Sequence, residues 1–199
     1  MRDGWAAASA RAKAGLEWHE DMRYGGAARQ CLDLFPARAA AAAGPLLIFI
    51  HGGYWRSNDK ANYAFIAEPV VARVGALANI NYGLAPDHSM GEIIAHVRAA
   101  VTWLHGNAAA GNFDPARIHL AGHSAGGHLA AELLATDWRA HGLPADAVKG
   151  ATAISGLYDL APLIETSIND ELGLDLASAR RFSPLYRPPR RGAALERIQ

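Results

Sequence analysis

Two hydrophobic rhythms run through this chain. Five consecutive apolar residues, Leu46, Leu47, Ile48, Phe49 and Ile50, mark a strand buried on both faces. Residues 30–36 alternate polar and apolar side chains up to Pro36, which predicts a strand ended by a residue that cannot extend the hydrogen-bond ladder. Further strands are predicted over 77–82, stopped by Gly83 and Pro86, over 117–121, after a turn at Asp114-Pro115, and over 150–154. The second rhythm is helical. Ile93, Ile94, Val97, Val101 and Leu104 recur at helical spacing within 91–105, the stripe of an amphipathic helix, and helices are also predicted over 61–73 and 126–136. Strands and helices alternate, so the fold class is α/β, a mostly parallel sheet with helices on both faces.

The two ends lack this pattern. Residues 1–30 are alanine-rich and polar, with a helix expected at 6–16, and read as an N-terminal extension; 37–44 is an alanine connector. Beyond Ala179 the arginines Arg180, Arg181, Arg187, Arg190, Arg191 and Arg197 face a single acid, Glu196, and Pro184, Pro188 and Pro189 interrupt the chain. No strand-like run occurs there. The α/β domain is accordingly placed at 31–186, and 187–199 reads as a basic tail.

Composition narrows the possibilities. A length of 199 residues with 51 % hydrophobic side chains fits one domain with a real core. With 19 basic against 19 acidic residues, the chain lacks the basic excess of a nucleic-acid binder. Cys31 is the single cysteine, which excludes a disulfide framework and any multi-cysteine metal site. It is either a packed side chain of its strand or, alternatively, a nucleophile. The longest apolar stretch, 45–50, is far too short to span a bilayer, and no signal-peptide pattern opens the chain. A cytoplasmic protein with no membrane or nucleic-acid partner is therefore expected.

The chemistry lies at two strand ends. Gly122-His123-Ser124-Ala125-Gly126 fits the pattern G-x-S-x-G, follows the strand 117–121 and opens the helix 126–136. Such a turn forces the serine into a strained backbone conformation, and only small neighbours let strand and helix pass so closely. The hydroxyl then stands at the C-terminal edge of the sheet, and the Ala125 amide points at the same spot near a helix N-terminus, where negative charge is stabilised. An ordinary tight turn with a buried serine is the alternative. His51-Gly52-Gly53-Tyr54-Trp55 follows the strand 46–50. A Gly-Gly loop can turn its amides toward a ligand with no Cβ in the way, which is how an oxyanion hole is built; a mere turn is again the alternative. His51 either takes part in acid–base chemistry or ties this loop down. Tyr54, Trp55, Tyr82 and Trp138 either line an aryl-acyl pocket or belong to the core. A dinucleotide-binding reading fails, because no G-x-G-x-x-G lies between a strand and a helix.

These motifs occur together with Asn81-Tyr82-Gly83-Leu84-Ala85-Pro86, Asp114-Pro115-Ala116-Arg117-Ile118 and Ser155-Gly156-Leu157-Tyr158-Asp159-Leu160. Over residues 20–186 the chain thus resembles the α/β-hydrolase superfamily, in the branch of kynurenine formamidases (arylformamidases) and hormone-sensitive-lipase-like esterases. The H-G-G-x-W form is most similar to the formamidase side. The resemblance implies an α/β-hydrolase fold and hydrolysis of a small-molecule carboxylic ester or N-formyl aryl amide, without metal or cofactor. Ser124 would be the nucleophile. Gly53, Tyr54 and Ala125 would form the oxyanion hole, supported by His51, Gly52, Trp55, Gly122 and Gly126.

A serine hydroxyl needs a general base and an orienting carboxylate, in the chain order serine, acid, histidine. After Ser124 come only His128 and His141, and the acids before His141 are Glu132 and Asp137. His128 lies one turn into the serine's own helix and is expected to pack or cap there. Asp137 and His141 could touch each other, but that helix leads away from the serine. Asp159 is a candidate acid after the strand 150–154, or else a carboxylate that holds its own loop. In the family the acid and histidine come from two further strand ends. The chain therefore reads as C-terminally truncated, with its last strands missing, hydrolysis impaired and the sheet ending on an exposed apolar edge at 150–154. The alternatives are a catalytically silent binding module, a non-functional gene fragment, or a chain refolded so that His123 or another upstream histidine serves as the base.

Overall fold

The computed structural model describes residues 2–38, 43–187 and 194–198, and builds one sheet of seven strands. These are β1 (His19–Arg23), β2 (Cys31–Phe35), β3 (Gly44–Ile50), β4 (Ala76–Ile80), β5 (Phe113–His123), β6 (Val148–Ile154) and β7 (Ala194–Ile198), in the order β1-β2-β4-β3-β5-β6-β7. The strands from β4 to β7 run parallel, whereas β2 is antiparallel to both β1 and β4. Among the described residues six α-helices accompany them: α1 (Arg2–Gly15), α2 (Ala67–Arg73), α3 (Met90–Gly106), α4 (Ala125–Leu134), α5 (Asn169–Leu172) and α6 (Leu176–Arg181).

Alternation along each central strand divides the core between two faces. Leu46, Ile48 and Ile50 of β3, Ala78 and Ile80 of β4, and Ile118 and Leu120 of β5 pack with the apolar stripes of α3 and α4. Phe35, Phe49 and Leu77 point the other way, onto Tyr63, Ala64, Ala67 and Val70. The expected helix over 61–73 is divided, with a 3-10 segment Lys60–Ile66 running into α2. Asp59 sets this tighter start by accepting a hydrogen bond from the Ala61 amide. On β5, Asp114 and Pro115 form a bulge inside the strand, because the partners step from Gly44–Phe113 directly to Leu46–Ile118. The described part of the alanine connector places Ala37 in the core; residues 39–42 lie outside the described residues.

The termini depart most from the sequence reading. Residues 1–30 are not merely appended: β1 adds a strand to the sheet, and α1 packs Trp5 against Tyr63 and Phe65. At the other end, the expected tail without a strand supplies β7, which pairs with β6 from Gly150–Ala194 to Ile154–Ile198. The predicted bare apolar edge at 150–154 is therefore covered. Main-chain hydrogen bonds carry this strand, and Leu195 alone of its side chains packs against the core, so no hydrophobic run announces it. Arg190 and Arg191, with Pro188 and Pro189, lie outside the described residues.

Asp33 is fully buried in the middle of β2, where a bare carboxylate would be prohibitive. Its Oδ1 sits 2.5 Å from the buried Lys60 ammonium, and Lys13 approaches Oδ2 at 3.5 Å. Lys60 also meets Asp21 of β1 at 2.9 Å. Burial pulls the Lys60 ammonium down, but its hydrogen bonds to Asp33 and Asp21 outweigh that and hold it above the ordinary lysine value. This cluster bolts α1, β1 and β2 to the 60–66 segment. Lys60→Met, which leaves Lys13 as the remaining counter-charge of Asp33, is expected to lower unfolding free energy by about 3 kcal/mol in urea titrations. Adding Asp33→Asn in that background should recover part of the loss.

Candidate active site

The loops that leave β3, β5 and β6 converge at one edge of the sheet. Ser124, between β5 and α4, has φ 56° and ψ −118°, a conformation that non-glycine residues rarely adopt. Its amide donates to the Ile154 carbonyl at 2.8 Å, which ties the turn to the end of β6. Tyr54 (φ 50°), Trp55 (φ 58°) and Ser155 (φ 49°) are held in the left-handed region on the neighbouring loops. Four strained residues on adjacent parallel strand ends mark the position where open α/β sheets bind ligands.

Glycines make this convergence possible. A Cβ on Gly126 would stand 2.0 Å from the Ile50 carbonyl oxygen, and one on Gly52 would stand 2.7 Å from the His123 carbonyl and 3.1 Å from the Ser124 Cβ. The loop 51–55 and the serine turn are thus in direct backbone contact. The Gly53 and Tyr54 amides have no acceptor among the described residues, while the Gly53 carbonyl is occupied by the amides of Arg56 and Ser57. Tyr54 is 41 % exposed beside them. The Ala125 amide begins α4, one residue after Ser124, and no described side chain hydrogen-bonds the Ser124 hydroxyl.

His51 is buried and holds its loop instead of reaching the serine. Its Nδ1 lies 2.8 Å from the Gly52 carbonyl, its ring stacks on Tyr82 at 4.4 Å, and the Tyr82 hydroxyl donates to its carbonyl at 2.7 Å. Burial pulls its imidazole down to about 4, so it is neutral at pH 7. Behind it, Arg29 donates to the Tyr82 and Asn58 carbonyls, to Asn81 Oδ1 and to Asp59, and so fastens the loop after β4 to the loop after β3.

Trp55 is fully buried and belongs to the core, as do Tyr82 and Trp138. The Trp55 Nε1–H donates to His128 Nδ1 at 3.2 Å, with the two rings edge-on, and His128 Nε2 faces the Phe182 carbonyl at 2.7 Å. These partners assign the proton to Nε2 and leave the imidazole neither a free lone pair nor a free N–H. Burial pulls His128 down to about 4 as well. His128 packs as expected, but its bridge between Trp55 and residue 182 had no signal in the sequence, because the three positions are far apart in the chain.

No hydrogen bond joins the remaining candidates to Ser124 among the described residues. Asp159 Oδ1 accepts the Ala161 amide at 3.0 Å, so this carboxylate caps its own loop. Glu132, fully buried, lies two turns further along α4. Asp137 and His141 bound a 3-10 turn beyond the far end of α4, roughly 15 Å of helix from the serine at 1.5 Å per residue. Cys31 is buried in β2. No group of three or more metal-ligating side chains occurs among the described residues, and no helix there is long and apolar enough to cross a membrane.

Comparison with known proteins gives a consistent result. The BD-FAE family model matches residues 32–156. A kynurenine formamidase of Danio rerio is 33 % identical over 174 residues, covering 87 % of this chain and 58 % of its own length. Esterase LipQ of Mycobacterium tuberculosis is 35 % identical over 162 residues, covering 70 % of this chain and 35 % of LipQ. A Silicibacter sp. protein provisionally designated a thioesterase superposes with a TM-score of 0.84 at 33 % identity, over 98 % of this chain and 72 % of that one. The chain spans little more than half the length of the curated formamidases it matches.

Two outcomes follow from this geometry. Gly126→Ala is expected to abolish the cooperative melt of the soluble protein followed by circular dichroism; a variant that melts like the parent would refute the backbone contact. The second concerns acid. His51 and His128 have folded-state values below the ordinary 6.5, so their contribution to stability is complete above pH 6.5 and is lost as pH falls toward 4. Between pH 7.5 and 5 each imidazole should remove about 2 kcal/mol. His128→Gln, though less stable at pH 7.5, should lose about 2 kcal/mol less across that interval in urea titrations.

Proposed function

We propose that this chain, which belongs to the BD-FAE family and has the α/β-hydrolase fold, carries the nucleophile and the oxyanion-binding half of a hydrolase acting on small carboxylic esters or N-formyl aryl amides. The observation that carries the reading is Ser124 itself. It is strained at the head of α4, its hydroxyl is engaged by no described side chain, and two amides without acceptors lie on the loop that touches it. In this reading Ser124 Oγ attacks the substrate carbonyl carbon. The negative charge that develops on the carbonyl oxygen is taken by the amides of Gly53, Tyr54 and Ala125, with the helix dipole of α4 adding to the field. Collapse of the tetrahedral intermediate expels the alcohol or aryl amine and leaves an acyl- or formyl-serine, which water cleaves.

The amide donors are fixed before substrate arrives. His51, Tyr82 and the Trp55–His128 bridge hold the loop from three sides, so little of the stabilisation is lost to reorganisation. The likeness to a kynurenine formamidase supports an aryl formamide as the substrate class, and that to esterase LipQ supports an ester. His51 and His128 are committed to the scaffold, so neither takes the proton of Ser124. Loss of the histidine of a triad lowers turnover by about 10⁶, and the oxyanion hole with binding still leaves roughly 10³–10⁴ over water. A binding module with the same serine turn is the second reading, favoured by the absence of a hydrogen bond between the Ser124 hydroxyl and any described imidazole.

An activity-based fluorophosphonate separates the two. Intact-mass and peptide analysis should find a slowly formed adduct on Ser124, absent from Ser124→Ala. Turnover of p-nitrophenyl acetate should remain within a few powers of ten of the water rate. Absence of the adduct, with the protein folded, would favour the binding module. Fast turnover abolished by Ser124→Ala would show that a base is present among these residues after all.

A further inference from the structure

Behind the serine helix lies a cavity of about 310 Å³, bounded by α3, α4 and the segment 181–187. That is the lower end of the size range of small-molecule sites. Its charged lining is one carboxylate, Glu132, and three guanidinium groups, Arg98, Arg181 and Arg187; Ile94 and Phe182 supply apolar wall. Glu132 is fully buried, and neither of its carboxylate oxygens has a hydrogen-bond donor among the described residues. Arg187 Nη1 stands 3.1 Å from Oε2 as an ion pair, but without hydrogen-bond geometry. Burial accordingly pushes the Glu132 carboxyl up to about 7 against the pull of Arg187 and Arg98.

The two kinds of charge lack different things. A buried carboxylate with two unfilled acceptors calls for a cationic donor group, since leaving it unmet is costly. The guanidinium groups call for an anion. Arg98 donates its Nε–H to Thr136 Oγ1, and among the described residues its Nη groups meet no acceptor. Arg181 lies over the Phe182 ring and likewise donates to none. Three positive charges against one negative leave an excess of two, so a plain cation is disfavoured; a plain anion would leave Glu132 unsatisfied. One small molecule meets both demands if it carries an ammonium and a carboxylate on neighbouring atoms.

We propose that this cavity binds a free α-amino acid with an apolar side chain. The ammonium rests on Glu132, the carboxylate is held by Arg98 and Arg181 in the forked geometry guanidinium groups favour, and the side chain lies against Ile94 and Phe182. The site is separate from the serine turn, so it stands or falls independently of the hydrolase reading.

Calorimetric titration of the full chain at pH 8 with L-leucine tests it, alongside the two half-ligands 4-methylpentanoate and isopentylamine. L-leucine is expected to bind at least tenfold tighter than either half. Glu132→Gln should weaken L-leucine tenfold or more while leaving 4-methylpentanoate unchanged, and Arg181→Met, at an exposed position, should weaken both. Thermal melts of each variant accompany the titrations. If Glu132→Gln does not fold, the half-ligand comparison and Arg181→Met decide. No binding of L-leucine, equal binding of 4-methylpentanoate, or L-leucine affinity unaffected by Glu132→Gln or by Arg181→Met would overturn the assignment.

Discussion

The site depends on two stretches of backbone lying closer together than any side chain permits. The end of β3 and the start of α4 touch through Gly52 and Gly126, and the Ile50 carbonyl occupies the space a Cβ on residue 126 would need. That contact sets how near the loop 51–55 comes to the serine turn. It also forces Ser124 into a conformation it would not choose alone, at about 1–3 kcal/mol for a residue of this kind. Strain of that size persists because the surroundings over-determine it. The Ser124 amide is bonded to β6, the helix after it is packed in the core, and the strand before it sits in the middle of the sheet.

Polar groups in the interior serve as clamps. Arg29 bonds to four partners on the loops after β3 and β4, and Lys60 joins α1, β1 and β2 through two aspartates. His51 and His128 contribute as neutral imidazoles, each with a ring nitrogen against a backbone carbonyl. A neutral hydrogen-bonded imidazole avoids the desolvation that an ion pair would incur at the same depth. Both rings are thereby spent on architecture.

Much of the fold was legible because the central strands are buried on both faces, and such strands are largely apolar. The run at 46–50 and the helical stripe of 91–105 could hardly form anything else, and 77–80 is apolar but for the buried Asn79. The serine turn was legible for a steric reason, since small residues at 122 and 126 are what the close crossing requires. The edges were not legible. β1 and β7 are held chiefly by main-chain hydrogen bonds, which any sequence can make, so residues 194–198 looked like more of an arginine-rich tail. Nor could a single sequence disclose contacts such as Trp55 with His128, 73 positions apart. Asp159 shows the converse: a carboxylate at a strand end looks catalytic in a sequence, while its local hydrogen bond becomes visible only in three dimensions.

The Trp55–His128 bridge has a consequence for how this scaffold can change over generations. The indole needs an acceptor that stays unprotonated, and the imidazole is held in one tautomer by a donor on one side and the Phe182 carbonyl on the other. Replacing either ring alone leaves a buried polar atom without its partner; replacing both by well-fitted apolar groups need not. Positions 55 and 128 are therefore expected to be inherited as a unit, exchanged together or not at all. Across descendants of this sequence they should behave as one character, even though only one of them belongs to the loop motif.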